Sequence, residues 1–267
     1  MICRTIIALL FCSAVLHAQS SGAFQFFPDT ILVRPFTAAP HAHRMSALNL
    51  LGSKDLLTSI GGQFPIIGGE VDGHPLQAAL AASVHFELHP QGQAQVVSDE
   101  YYIDFLTLDI VHAAQWRTRW IVGHTSHHLS DNWFERLGYT QAVRYSRDYV
   151  KAFLVWQPDG MQWYAGADYA HHFTILAPNP HRWNLQTGFS SDILALATDA
   201  VLYVACDLLV RQEAQWAATN SFQSGLRVPM RNHGILRFIL QYRTGVDDRG
   251  QFFPQHRSLL TAGITIE

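Results

Sequence analysis

Residues 234–246 read GILRFILQYRTGV and place apolar and polar side chains alternately along the chain. Leu236, Phe238 and Leu240 occupy every second position, and Arg237 lies between the first two of them. Because successive side chains of a β-strand point to opposite faces, this stretch predicts a strand with one apolar face and one polar face. The apolar face suits lipid and the polar face suits water.

The same alternation recurs along the chain, for example in 76–88 and 201–211. About twelve segments follow this pattern: 45–52, 56–67, 76–89, 100–112, 116–126, 144–157, 161–175, 182–192, 201–213, 221–229, 234–246 and 256–266. After Ala18 there is no apolar stretch long enough for a transmembrane helix, so a membrane-spanning fold has to pair its backbone groups between strands. The sequence therefore predicts an all-β fold, a closed antiparallel transmembrane β-barrel of about 12 strands (range 10–12).

The start of the chain predicts export. Arg4 precedes an apolar run over 5–15 that is too short to span a bilayer, which is typical of a signal peptide over residues 1–18. Residues 19–44 contain several prolines and predict an irregular N-terminal lead-in, because proline cannot donate to a strand ladder. We expect the barrel domain to cover 45–267 and the protein to reside in the bacterial outer membrane.

Connection lengths support an even strand count with both chain ends at one rim. The links 113–115, 158–160 and 231–233 are short and predict periplasmic turns, whereas 90–99 and 127–143 are longer and predict external loops. Several charged residues are expected to face the lumen: Arg117, Arg119, Arg144, Arg147, Lys151, Arg227, Arg237, Arg243, Asp104, Asp168 and Asp207. Buried charges need partners, so these residues either pair with one another or line an aqueous pore.

The charge balance and the cysteine count limit the binding partners and cross-links that the protein can have. The chain has 18 Lys and Arg against 21 Asp and Glu, which gives no electrostatic case for binding nucleic acid. Two of the 3 cysteines lie in the signal peptide, so Cys206 is left without an intrachain disulfide partner. We expect no cofactor and no bound metal, and we expect outer-membrane lipid as the partner.

The densest polar stretch, 117–131, runs from a strand into the longest loop and contains the candidate catalytic residues. Alternation places His124 and Ser126 on the lipid-facing side, where an imidazole can act as the base for a serine hydroxyl. Glu135 is the candidate for the carboxylate that orients the imidazole, as in hydrolase triads, and Asp131 and Glu100 are alternatives for this role.

Two other interpretations of these residues stay open. Histidines at strand ends commonly bind loop backbone or water, which would make His124 structural. His124, His127, His128 and Asp131 in one short stretch, or His171 with His172, offer metal-ligand chemistry instead. His127 and His128 point apart in an extended chain, which weakens the metal alternative.

The segment Gly123-His124-Thr125-Ser126-His127-His128-Leu129, with the later Gly250-Gln251-Phe252-Phe253, resembles an uncharacterised bacterial domain family of outer-membrane barrels. In that family a His-x-Ser-Ser-His-Leu-Gly-Asp-Glu type run recurs, and this chain departs from it at His127, Ser130 and Asn132. Membership of this family would imply the fold but no established activity.

More distantly, the stretch from Arg119 to Ser126 is similar to a motif of outer-membrane lipid A 3-O-deacylases that ends in His-x-Ser. In those enzymes a histidine, a serine and a glutamate hydrolyse an acyl ester from the membrane side of the barrel. This resemblance implies His124 as base and Ser126 as nucleophile, and it carries over no third residue.

The sequence thus predicts an outer-membrane barrel of unknown specific activity, and its leading catalytic hypothesis is a lipid-modifying, deacylase-like ester hydrolase site at His124, Ser126 and Glu135. A narrow channel or a structural barrel is the alternative. An exported soluble all-β protein with its apolar faces packed inside is a third possibility that alternation alone leaves open.

Overall fold

The computed structural model describes residues 24–91, 93–131, 145–175, 177–197, 199–231 and 234–267. Twelve long strands form the wall of a barrel, and we number them in chain order: β1 Met45–Leu50, β2 Leu56–Val71, β3 His74–Gln91, β4 Gln93–Val111, β5 Trp116–Leu129, β6 Tyr145–Trp156, β7 Met161–Ile175, β8 Trp183–Ala197, β9 Ala200–Arg211, β10 Ala217–Pro229, β11 Ile235–Val246 and β12 His256–Ile266. Each strand pairs antiparallel with the next, and β12 pairs with β1 from Ile266↔Met45 to Thr261↔Leu50. The sheet is therefore closed.

Smaller elements complete the chain. Gln25–Phe26 pairs with β2 and Ala177–Pro178 pairs with β7, and single 3-10 turns lie at Gln212–Ala214 and Gly250–Phe252. No helix in the described part of the chain is long and apolar enough to cross a membrane. Cys206 is a free thiol.

The apolar row that predicted the barrel lies on its exterior. Phe238 and Leu240 are 49% and 47% exposed, while Arg237 and Gln241 between and beside them are buried in the lumen. A soluble all-β protein would bury the apolar row instead. The strand register and the closed twelve-stranded barrel are confirmed, and the soluble alternative is wrong.

The two rims differ as connection length predicts. Short turns such as 72–73 and 157–160 gather at the rim that we call the turn end, and the longer connections gather at the opposite rim, the loop end. The predicted loop at 90–99 is wrong, because β3 and β4 remain paired to Gln91↔Gln93. The strand backbones keep their hydrogen bonds beyond the apolar band, so loss of the alternating pattern did not end the strands there.

Residues 28–44, which we call the plug, run inside the lumen. The Phe36 ring stacks on Tyr164 with ring centroids 3.6 Å apart and contacts Phe153 edge-on. Val33 is fully buried in the same apolar cluster, which also includes the lumen-facing Ile121. A cavity of about 120 Å³ remains between the plug and the wall. The irregular lead-in therefore fills the barrel that follows it.

The lumen charges meet partners, as predicted. Arg119 donates to both carboxylate oxygens of Asp109, at 2.7 and 2.8 Å. Four other arginines predicted to face the lumen also meet carboxylates: Arg147–Asp168 at 3.1 Å, Arg237–Glu267 at 3.0 Å, Arg243–Asp248 at 2.6 Å and Arg227–Asp192 at 2.5 Å. Arg117 instead donates to the carbonyl of Gln157 at 3.2 Å. Arg144 lies outside the described residues.

Residues 247–255, which we call the lid loop, fold into the lumen at the loop end. The backbone N–H groups of Gly250 and Gln251 donate to Glu100 and to His127 Nδ1, each at 3.1 Å. A Cβ at Gly250 would lie 2.5 Å from the Tyr145 ring, so the close approach requires glycine. The two motif segments of the sequence therefore meet in space, one in the wall and one in the lid loop.

Candidate functional site

A polar patch lies on the outer wall at the loop end of β4, β5 and β6. Alternation along β5 places His124, Ser126 and His128 on the outside, whereas Thr125 and His127 are buried in the lumen. This is the orientation that the sequence predicts for His124 and Ser126. The three outward side chains succeed one another at every second position, so neighbouring ones are close enough to interact.

His124 has a carboxylate partner on the next strand. Its Nδ1 lies 2.6 Å from Asp148 Oδ1, because the β5–β6 register sets the two residues directly opposite each other. The side chains are 30% and 36% exposed, so the pair stays open to the outside of the wall. A carboxylate at Nδ1 fixes the imidazole orientation and leaves Nε2 free to accept a proton.

Ser126 hydrogen-bonds the other neighbouring histidine. The distance between His128 Nε2 and Ser126 Oγ is 3.1 Å, and the His128 ring contacts Tyr101 edge-on. Asp99 lies directly opposite His128 on β4. Ser126 therefore sits between two imidazoles, each with a carboxylate on an adjoining strand.

The site lies where the apolar surface of the wall ends. Trp120 on β5, Phe105 on β4 and Val150 on β6 are 47%, 56% and 41% exposed and lie on the turn-end side of His124. Large apolar side chains of this kind form the lipid-facing band of a membrane barrel. The polar patch therefore borders that band on its loop-end side.

The structure separates the sequence candidates. His124 and Ser126 come to one face, as expected, and Glu135 lies outside the described residues. Glu100 is buried in the lumen at 3% exposure, where it binds the lid loop, so its candidacy as the orienting carboxylate of His124 is wrong. Alternation explains this, because the side chain at position 100 and its neighbours at 99 and 101 point to opposite faces.

Sequence reasoning missed Asp148 and the bond between Ser126 and His128. Asp148 follows the long connection after β5, so its register with His124 could not be counted from the sequence. The metal site proposed for His124, His127, His128 and Asp131 is also wrong. His127 lies in the lumen, whereas His124 and His128 lie outside the barrel. Among the described residues no group of three or more potential ligands is placed to hold a metal.

On the lumen side of the same strands, the plug and the lid loop meet around His41. His41 Nε2 lies 3.4 Å from Asp248 and 3.6 Å from Glu100. Burial lowers the pKa of His41, and Asp248 only partly offsets this effect. Burial would raise the pKa of Asp248, but Arg243 and His41 hold it well below its usual range.

The fold is that of the outer-membrane β-barrels of bacteria. The family model described as "Protein of unknown function (DUF1207)" matches residues 12–266, and the chain belongs to this family. The expectation of an uncharacterised barrel family is thereby confirmed. No curated protein matches the sequence.

Solved barrels with this fold include outer membrane phospholipase A from Escherichia coli, with a TM-score of 0.54 at 12% identity over 84% of this chain and 92% of that chain. The Salmonella typhi outer membrane phospholipase, a dimer with bound calcium, gives a TM-score of 0.53 at 12% identity over 84% and 90%. LpxR from Salmonella typhimurium aligns over 79% and 87% at 8% identity, with a TM-score of 0.32 that supports no argument. At these identities the likeness is one of fold.

Proposed function

We propose that this protein is an outer-membrane barrel whose outer wall carries a serine-dependent hydrolase site for acyl esters of membrane lipid. Ser126 is the nucleophile, His124 the base and Asp148 the carboxylate that orients the base. The observation that carries the proposal is the 2.6 Å contact between His124 and Asp148, with Ser126 two residues away on the same outward face. Asp148 takes the role that Glu135 was expected to fill.

The acylation step follows from this arrangement. Rotation of the Ser126 side chain away from His128 brings its hydroxyl towards His124 Nε2, which accepts the proton as Oγ attacks the ester carbonyl. Asp148 keeps the Nδ1–H of His124 pointed at itself and stabilises the imidazolium that forms. Such proton transfer contributes about 10²–10⁴-fold to rate.

The position of the site favours a lipid substrate. Ser126 faces the surroundings of the barrel, and on the same face of β5 the half-buried Val122 and the exposed Trp120 lie four and six residues nearer the turn end. An acyl chain can lie against this band while its ester reaches the polar patch. Two solved barrels of the same fold are named as phospholipases, which is consistent with ester chemistry on a wall of this kind.

The channel alternative has less support. The plug occupies the lumen from Val33 to Arg44. Arg44 lies 3.5 Å from the carboxylate of Glu267, the residue that follows β12. An open pore needs an aqueous path, and the plug occupies part of the lumen where such a path would run. A structural barrel without activity remains the outcome to expect if the test below fails.

The test is the replacement of Ser126. We expect Ser126→Ala, purified in detergent, to release fatty acid from a diacyl phospholipid or from lipid A at least about 10³-fold more slowly than the natural chain. Ser146→Ala is the matched control, because Ser146 pairs with Ser126 across β5 and β6 on the same outer face. Unchanged release by Ser126→Ala, with the barrel still resistant to unfolding in cold detergent, would exclude Ser126 and the proposal with it.

Location belongs to the same proposal. We propose that residues 1–18 are removed on export and that the barrel resides in the outer membrane. N-terminal sequencing of protein extracted from fractionated membranes should begin at Gln19. Recovery in the inner-membrane or cytoplasmic fraction with an intact N-terminus would contradict this part.

A further inference from the structure

Ser126 lies between two imidazoles, each directly opposite an aspartate on a neighbouring strand, whereas a hydrolase triad needs one such imidazole. His124 is bonded to Asp148 on one side, and on the other side His128 Nε2 lies 3.1 Å from Ser126 Oγ, with Asp99 directly opposite on β4. Asp99 Oδ1 is buried and has no hydrogen-bond partner among the described residues. It is therefore available to accept the Nδ1–H of His128.

The two pairs lie on different sides of the serine. His124 is on the side of the apolar band, half-buried, and two positions from Val122. His128 is exposed and is followed by a single residue, Leu129, before β5 ends. An acyl group on Ser126 would extend towards the band and past His124, so water reaches the acyl carbonyl from the side of His128.

We propose that the two histidines divide the reaction, with His124 and Asp148 serving acylation and His128 and Asp99 serving deacylation. This inference rests on the proposed function. It makes His128 a catalytic residue, since its Nε2 already contacts the oxygen that enters and leaves the acyl bond. Asp99 is a positioning residue that acts through His128.

The proton and bond changes balance in both halves. In acylation the Ser126 proton passes to His124 Nε2, the Oγ–carbon bond forms, the bond to the lipid alcohol breaks, and the same proton passes to the alcohol oxygen. In deacylation a water proton passes to His128 Nε2 while the water oxygen bonds the carbonyl carbon. The Oγ–carbon bond then breaks, and the proton passes from His128 to Oγ over the 3.1 Å contact.

The experiment separates the two halves with p-nitrophenyl octanoate in detergent micelles and the purified full chain. We expect His128→Asn to release a burst of p-nitrophenolate equal to the enzyme concentration and then turn over about 10²-fold more slowly than the natural chain. Intact-protein mass should rise by one octanoyl group, and Ser126 should carry it. His124→Asn should show neither the burst nor the added mass.

The matched control is His112→Asn. His112 makes the same kind of contact, 2.8 Å from Nε2 to Thr118 Oγ1, but it lies at the turn end of the wall. It should keep the natural burst and turnover. Asp99→Asn should show the defect of His128→Asn in weaker form, with the acyl group again retained on Ser126.

The outcomes distinguish this inference from the proposed function. If His128→Asn turns over like the natural chain, or loses the burst as well, the division between the histidines is overturned while Ser126 remains the nucleophile. If no variant acquires an octanoyl group and Ser126→Ala hydrolyses the ester normally, the proposed function itself fails.

Discussion

At the scale of single residues, the site depends on the register between β5 and β6. Alternation along 117–126 suffices to put His124 and Ser126 on one face, because that pattern is local to one strand. Asp148 is 24 residues further along the chain and comes opposite His124 only when the two strands pair. The sequence therefore predicts two members of the site, and its third candidate, Glu135, was chosen by proximity in the chain.

The proposed role of Asp148 predicts a loss of activity when this residue is replaced. Asp148→Ala should lower kcat by about 10²-fold or more, because the imidazolium of His124 loses its negative partner and its fixed orientation. Asp148→Asn should lose at least as much, since its amide N–H group can donate to Nδ1 and hold the imidazole of His124 in the wrong tautomer. Ester release measures this in the two variants and in the control Asp159→Asn, which changes an exposed aspartate in the turn after β6. Equal kcat in all three variants would remove Asp148 from the site.

At the scale of elements, all twelve strands follow from the alternating pattern, and β7 and β12 have the predicted limits. The plug could not be placed in the same way. Its sequence shows no regular alternation of apolar and polar residues. Its packing partners, such as Tyr164, lie more than a hundred positions further along the chain. The long connection of 90–99 was a wrong prediction for a related reason, since hydrogen bonds between β3 and β4 continue where side-chain alternation has stopped.

The plug predicts a large loss of stability on truncating Phe36. This ring is 8% exposed and packs between Tyr164 and Phe153, so Phe36→Ala should lower the free energy of unfolding by about 3–5 kcal/mol. Urea unfolding in detergent, followed by tryptophan fluorescence, measures the change. Phe27→Ala is the control, because Phe27 is 69% exposed and should change stability by less than about 0.5 kcal/mol. Similar losses for both variants would show that the plug does not pack as described.

The lid loop predicts that Gly250 tolerates no side chain. In Gly250→Ala the added Cβ would meet Tyr145 at 2.5 Å and the Cβ of His127 at 2.8 Å, so the loop has to move out of the lumen. We expect faster cleavage of the chain near residue 250 by added protease than in the natural protein. Gly62→Ala serves as control, since a Cβ there meets only Phe64, at 3.6 Å. Cleavage at the natural rate would mean that the lid loop accommodates the methyl group in place.

At the scale of the whole molecule, the lumen is lined with charged side chains that form ion pairs with one another. The sequence predicts that these charges face inward, and Arg119, Arg237 and Arg243 do so with carboxylate partners. The carboxylates that Arg237 and Arg243 meet could not be predicted, because Glu267 and Asp248 lie outside the alternating strands. Nor does alternation show that the plug adds Arg44 and His41 to the network.

This network predicts that the barrel weakens in acid. The pKa of His41 is lowered in the fold, so the folded state prefers the neutral imidazole. Stability is therefore lost as the pH falls below the unfolded pKa of about 6.5. The pKa of Asp248 is also lowered, and its contribution is lost below about pH 4. Urea midpoints at pH 8, 5.5 and 3.5 measure the two declines, each as the difference between the natural chain and the matching variant. His41→Gln should make the fall in the urea midpoint between pH 8 and 5.5 smaller, and Asp248→Asn should do the same between pH 5.5 and 3.5. If neither variant changes these differences, His41 and Asp248 are not their source.

The seam between β12 and β1 decides the order in which the molecule can assemble. Met45 and Ile266 are joined there although more than two hundred residues separate them, so this pairing has the largest entropic cost of chain closure and is expected late in folding. The plug leads directly into β1, so the strand that seals the cylinder is covalently attached to the segment that fills it. Closing the seam therefore brings the C-terminal end of the plug to the lumen that the plug fills.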